Sequence, residues 1–385
     1  TRNECRRQRQ MCIRDRCIIF RIPAGIRHLM QPLKCILFAA VVHFTVIMPV
    51  MAYDANEVFD DFPDRRDVQY PDWFSQSFLD FREDLSEALA QQKKGVIIYF
   101  GQKDCAYCEA LMEVNFGRQQ DIVDYTRRHF NIIPIDIWGS REVVDMDGKL
   151  ISENALAERE QTNFTPSMLF YTEGGVEALR LRGYYPPYRF RAALEYVAGG
   201  FYKQESLRDY LARADPPPKF DLGDINEEDF FDSPPHALDR SRFSAQMPLV
   251  VFFEQNDCHA CDILHSDPLK DDEARALLRE FQVVQLDMWS DTPVLTPAGE
   301  KTTARQWSED LGIFYAPTLV FFDERGREII RIDSVIKVYR LRGVLEFVAR
   351  RGYLDAPTYQ RWRENLQNAA FDSVNRPATG AGESN

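Results

Sequence analysis

Cysteine is scarce where a scaffold would need it. The 385-residue chain has eight cysteines, with Cys5, Cys12 and Cys17 before residue 30 and Cys35 inside an apolar run. Beyond residue 52 only Cys105, Cys108, Cys258 and Cys261 remain, two pairs of identical spacing, and this excludes a structural disulfide framework. Histidine is rarer, with six residues in all; His259 sits within its own pair and His129 is remote from either. Basic charge is missing from the bulk of the chain. The first 52 residues hold 9 Lys/Arg and 2 Asp/Glu, leaving 38 basic and 58 acidic residues beyond them, a balance that argues against a nucleic-acid partner. Apolar and charged contents of 45% and 28% exclude a disordered chain and a polytopic membrane protein. No heptad repeat marks an oligomer interface.

What is present begins with an export pattern. Lys34 precedes a mostly apolar run to Met48, and Pro49-Val50-Met51-Ala52 supplies small residues where a signal peptidase cuts. Residues 30–52 therefore read as a signal peptide, with an uncleaved membrane anchor as the alternative, and the mature protein is expected in the periplasm. Residues 1–29 fit no export logic. The stretch Arg6–Arg16 resembles translated sequencing adapter, so this segment is read as non-native and unstructured.

The remainder is a repeat. Val96-Ile-Ile-Tyr-Phe-Gly-Gln-Lys-Asp-Cys-Ala-Tyr-Cys aligns without a gap on Leu249-Val-Val-Phe-Phe-Glu-Gln-Asn-Asp-Cys-His-Ala-Cys. Ile135–Trp138 aligns on Leu286–Trp289, Thr165-Pro166 on Ala316-Pro317, and Tyr188 on Tyr339. The spacing from first Cys to Pro is 61 and 59 residues, and from Pro to Tyr 22 in both. In the first copy, the periodicity of Phe78, Phe81, Leu85 and Leu89 predicts a helix over 74–92. Strands follow at 96–100, 132–137, 168–171 and 176–181, the last two joined by a turn at Glu173-Gly174-Gly175, and a helix closes the unit over 188–202. The domains are thus 53–214 and 236–371, joined by a Pro-rich acidic linker at 215–235 and followed by a disordered tail, 372–385. A helix is expected to begin near His236, and another over 356–371.

Each Cys pair falls where a strand ends and a helix opens. A cysteine there meets unpaired N–H groups and the positive end of the helix dipole, which favour the thiolate. Cys105 and Cys258 are accordingly the expected nucleophiles. Cys108 and Cys261, one turn on, are the resolving thiols. Zinc ligation is the competing reading, but no second pair or histidine cluster completes a site within either unit, so no metal is expected. Asp145-Met146-Asp147-Gly148 reads as a surface turn, since Leu156 stands where a calcium loop needs an acid. Tyr184, Tyr185 and Tyr188 are expected to pack the closing helix, with Trp307 and Trp362 as core or docking residues.

The order of elements, the two Cys-x-x-Cys motifs and the X-Pro spacing resemble the thioredoxin superfamily over about residues 74–353. Trp138-Gly139 and Trp289-Ser290, where the chain leaves the strand, are similar to its exported SoxW-type branch. The resemblance implies an α/β fold class, two tandem thioredoxin-like folds with a central mixed sheet flanked by helices. It implies that Pro166 and Pro317 are cis and face the Cys pairs. The main chain at Thr165 and Ala316 would then pair with an extended substrate. It also implies dithiol–disulfide exchange with protein thiol or disulfide substrates, a membrane electron donor, and no cofactor beyond the redox-active disulfides. The chain departs from the general pattern in two ways. Tyr99 and Phe252 occupy the position of the buried acid six residues before the first Cys. The dipeptides are Ala106-Tyr107 and His259-Ala260. Asp104 and Asp257 should raise the thiol pKa, while a protonated His259 would lower that of Cys258, so the second site is expected to be the more oxidising. A non-catalytic copper or zinc carrier, or a substrate-binding scaffold, is the alternative function.

Overall fold

A computed structural model describes residues 59–214 and 225–375; the expected export and non-native segments lie outside the described residues. Two four-stranded mixed sheets of the same topology organise it. In the first, β1 (Gly95–Gly101) pairs in parallel with β2 (Phe130–Asp136) and antiparallel with β5 (Ser167–Thr172), which pairs with β6 (Val176–Arg182). Between β2 and β5 lie the hairpin β3 (Glu142–Val144) and β4 (Leu150–Ser152) and the short helix α4 (Glu153–Arg159).

Every residue of β1 is buried, as a continuous β-branched and aromatic run at the centre of a covered sheet requires. Strand alternation divides its side chains between two layers. Val96, Ile98 and Phe100 face Phe81, Leu85 and Ala88 of α1 (Phe81–Ala90) together with Leu156 of α4. Ile97 and Tyr99 face the Cys-bearing helix α2 (Ala106–Ala110, running on as a π-helix over Leu111–Arg118) and Phe190 and Leu194 of α5 (Pro187–Ala198). Helix α3 (Gln120–His129) leads back into β2.

The first helix is shorter than its periodicity predicts. Leu79 sits at φ +65° and Asp80 caps the helix by accepting the N–H groups of Arg82 and Glu83, so α1 begins at Phe81 and Phe78 is left fully exposed.

The second sheet repeats the order β9-β8-β12-β13, with β8 at Leu249–Glu254, β9 at Gln282–Asp287, β12 at Thr318–Phe322 and β13 at Glu328–Ile332. Its helices are α7 (His259–Ser266), α8 (Asp272–Leu278), α9 (Ala304–Asp310) and α10 (Val338–Ala349). No helix begins at His236. The cis Pro234–Pro235 bond is followed instead by a two-residue strand, β7 (His236–Ala237), since consecutive prolines withhold N–H donors and hold the chain extended. β7 adds in parallel to the hairpin of β10 (Pro293–Leu295) and β11 (Lys301–Thr303). Residues 225–235 run against the second sheet: Asp232 N–H donates to Val283 O at 2.8 Å, and the Phe231 ring packs edge-on to Phe252.

Each domain ends in a helix that reaches into the other. Arg208, on α6 (Leu207–Ala214), donates to Ser308 Oγ at 2.7 Å, to Met288 O at 3.0 Å and to Ile313 O at 3.2 Å, and stacks over Trp289. In return α11 (Tyr359–Asn375) sets Arg361 over Trp138 and pairs it with Glu158, while Gln360 donates to Asn163 O. Phe164 lies in the core of the second domain, and Tyr315 and Val335 lie in that of the first. Tyr184 and Tyr185 are fully buried. Tyr185 packs on Phe314 and Tyr315 across the interface as well as within its own domain, whereas Tyr188 is exposed. Trp307 and Trp362 are core residues. Asp145 is a buried turn acid, accepting the N–H groups of Asp147 and Lys149 and pairing with Arg159.

Candidate active sites

The two Cys pairs are built alike. β1 and β8 each run out into a Gln-x-Asp turn whose Asp, Asp104 or Asp257, takes a positive φ (+54° and +50°) that swings the next residue to the helix start. Cys105 and Cys258 are then the N-caps of α2 and α7. Each sulfur accepts the N–H of the second cysteine, at 3.1 Å from Cys108 and 3.1 Å from Cys261. A negative sulfur at this place gains both the hydrogen bond and the helix dipole. Both pairs are closed disulfides, Cys105–Cys108 and Cys258–Cys261, with Cα separations of 5.2 and 5.1 Å. Cys108 and Cys261 are sealed from solvent, while Cys105 and Cys258 keep 5% and 8% of their surface.

The Thr165–Pro166 and Ala316–Pro317 bonds are cis and bring the preceding residues to the sulfurs. Thr165 Oγ1 lies 3.2 Å from Cys105 Sγ, and Ala316 O lies 3.6 Å from Cys258 Sγ. A further pair of residues belongs to each site. Gln102 Oε1 accepts Trp138 Nε1–H at 2.8 Å while its amide donates to Thr165 Oγ1 at 2.8 Å. Gln255 Oε1 likewise accepts from Trp289 at 2.9 Å. The signal for them was the Gln kept at the same place in both copies. Among the described residues, no group of three or more His, Cys, Asp or Glu side chains is arranged to hold a metal ion, and no helix is long and apolar enough to cross a membrane.

A model of the thioredoxin-like domain matches residues 81–198 and again 236–349, over half of the chain. The chain belongs to the thioredoxin-like family. Solved structures similar to it include a thioredoxin-fold protein from Helicobacter pylori, 26% identical over 32% of this chain and 84% of that one, with a TM-score of 0.29. A thioredoxin from Thermus thermophilus is 22% identical over 31% and 83%, with a TM-score of 0.24. The C-terminal domain of Neisseria meningitidis DsbD in the oxidised form is 13% identical over 26% and 80%, with a TM-score of 0.21. No curated protein matches the sequence.

The two thioredoxin-like sites differ in what stands behind the cysteines. In the first, Tyr99 is wholly buried and desolvation pushes its phenol pKa well up. Its ring, with the Tyr70 hydroxyl, fills the space a side chain at Gly101 would need. In the second, the position of Gly101 is Glu254. This buried carboxylate lies 3.0 Å from His265 Nε2 and accepts from Gln285 at 3.0 Å. His265 is four residues beyond Cys261 on α7, and its Nδ1 is 3.3 Å from Glu228, which is held by Lys270 and Arg275. Burial opposes the imidazolium, but the hydrogen bonds and charges of Glu254 and Glu228 outweigh it and raise the pKa above the ordinary 6.5. The stabilisation this gives is therefore complete below about pH 6.5 and lost as pH rises through the raised value. His265→Gln should cost more stability at about pH 6 than at about pH 9 in urea unfolding. An equal cost at both would show that the pair does not titrate there.

Proposed function

We propose that the chain is an extracytoplasmic thiol–disulfide oxidoreductase with two active sites, of the SoxW-type branch. It exchanges disulfides with protein thiols and is supplied with electrons by a membrane carrier. The observation that carries this reading is the matched geometry of Cys105 and Cys258. Each is an N-cap sulfur facing a cis X-Pro turn, with a buried partner cysteine one turn behind. The helix end lowers the cost of the thiolate, attack on a substrate disulfide gives a mixed disulfide, and the second cysteine resolves it. Export rests on the signal-like residues 30–52, and the electron donor on the family resemblance.

The deciding measurement is the reduction potential of each pair in the full chain, with the other pair replaced by alanine. Equilibration against dithiothreitol or glutathione with thiol trapping reads it. A potential near about −270 mV supports a reductase that needs a donor, and one near about −120 to −180 mV an oxidase or isomerase. A more positive value for Cys258–Cys261 supports the functional difference between the sites, and equal values remove it. If neither pair closes and copper or zinc co-purifies, the chain is a metal carrier instead.

A further inference from the structure

The attacking sulfurs are almost equally buried, but the residues between the two cysteines meet solvent differently. At the second, His259 is exposed and Ala260 half-exposed; at the first, Ala106 and Tyr107 are buried. Tyr107 is covered by the start of α10 in the other domain together with Phe59 and Asp61 of its own. The Arg340 guanidinium lies 3.3 Å over the Tyr107 ring and donates to Thr165 O at 3.2 Å. That carbonyl belongs to the main chain an extended polypeptide would pair with. Asp61 pins the arrangement, accepting Tyr107 Oη–H at 2.9 Å and the N–H groups of Tyr339 and Arg340 at 3.0 and 2.8 Å. Among the described residues, no interaction of Arg189, the counterpart of Arg340 in the first copy, reaches the second site; its guanidinium lies by the neighbouring Tyr188 ring.

What remains at Cys105 is a cavity of about 60 Å³, room for a few waters or the end of one side chain. It opens beside a vestibule of about 450 Å³, and Pro63, Gln102, Asp104, Gln360 and Arg363 line both. The vestibule carries both signs of charge, from Arg65, Lys103 and Arg363 and from Asp64, Asp104 and Glu364. Such a lining offers a partner to each charge of a small zwitterion.

We propose that the first site is closed to proteins by Arg340 and reduces a low-molecular-weight zwitterionic disulfide that enters through this vestibule, leaving protein disulfides to the second site. The proposal rests on the oxidoreductase reading. The Cys105 thiolate attacks one sulfur of the small disulfide, forming a mixed disulfide and releasing one thiolate. Cys108 then attacks Cys105 Sγ, closing the protein disulfide and releasing the second. Two electrons pass from the dithiol to the substrate, and the two protons given up by Cys105 and Cys108 leave on the two small thiols.

The test uses full chains with only one pair intact, pre-reduced and freed of reductant, then mixed with oxidised glutathione or with insulin in single turnover. The first site should match the second within about tenfold on oxidised glutathione and trail it at least about a hundredfold on insulin. Arg340→Ala should raise the ratio of insulin to glutathione rates at the first site at least about tenfold. Lys103→Glu, an exposed change, should slow oxidised glutathione at that site more than the uncharged 2-hydroxyethyl disulfide. A first site as fast as the second on insulin, or inert to both probes while the second reacts, overturns the proposal. So does an unchanged ratio in a folded Arg340→Ala chain, or equal slowing of both probes by Lys103→Glu. If both sites are inert to both probes, the oxidoreductase reading itself fails.

Discussion

Replacing both Cys105 and Cys258 by serine is expected to cut the rate on a protein disulfide by about a thousandfold or more, because among the described residues no other thiol caps a helix beside an X-Pro turn. A serine hydroxyl stays protonated at neutral pH even at a helix end, so the N–H of Cys108 or Cys261 would face a neutral oxygen. Among the described residues, the remaining thiols offer no detour. Cys108 and Cys261 are at most 1% exposed, and each is bonded to its own partner. The complementary pair, Cys108→Ser with Cys261→Ser, should leave attack intact and accumulate a mixed disulfide visible by mass. Insulin reduction by the first double variant above about 1% of the parent rate would place the chemistry elsewhere.

The largest effect on stability is expected from Arg208→Ala, a loss of about 3 kcal/mol or more in urea unfolding. The guanidinium is 4% exposed and satisfies Ser308 Oγ and two main-chain carbonyls of the other domain, while its face covers Trp289. Truncation removes a charge-assisted fork and a cation–π contact together, and leaves Ile313 O without this donor. Lysine should recover only part of the loss, since an ammonium neither forks nor stacks. A midpoint shift equivalent to less than about 1 kcal/mol would mean that α6 rests on the second domain without holding it.

The sites were legible in the sequence for a local reason. Cys105, Thr165 and Pro166 come together through a strand, a helix start and an X-Pro turn, and each leaves a mark within a few residues. The strands β1 and β8 announced themselves as unbroken apolar runs. The cover over the first site left no such mark. Asp61 meets Arg340 across 279 positions and Arg208 meets Ser308 across 100, and in sequence each is one more charged residue. Tyr184 and Tyr185 were readable as packing residues, but the packing of Tyr185 against Tyr315 of the other copy was not. The helix start at 81 turned on a single backbone event, the positive φ of Leu79, which periodicity cannot register.

Duplicated domains are ordinarily redundant, and one copy can decay while the other carries on. Here Phe164 completes the interior of the second copy, and Tyr315 and Val335 complete that of the first. A lesion that discards either half would strip apolar surface from the survivor. The doubling is thus locked in by the shared interior, which leaves each cysteine pair free to drift toward its own chemistry without either domain becoming dispensable.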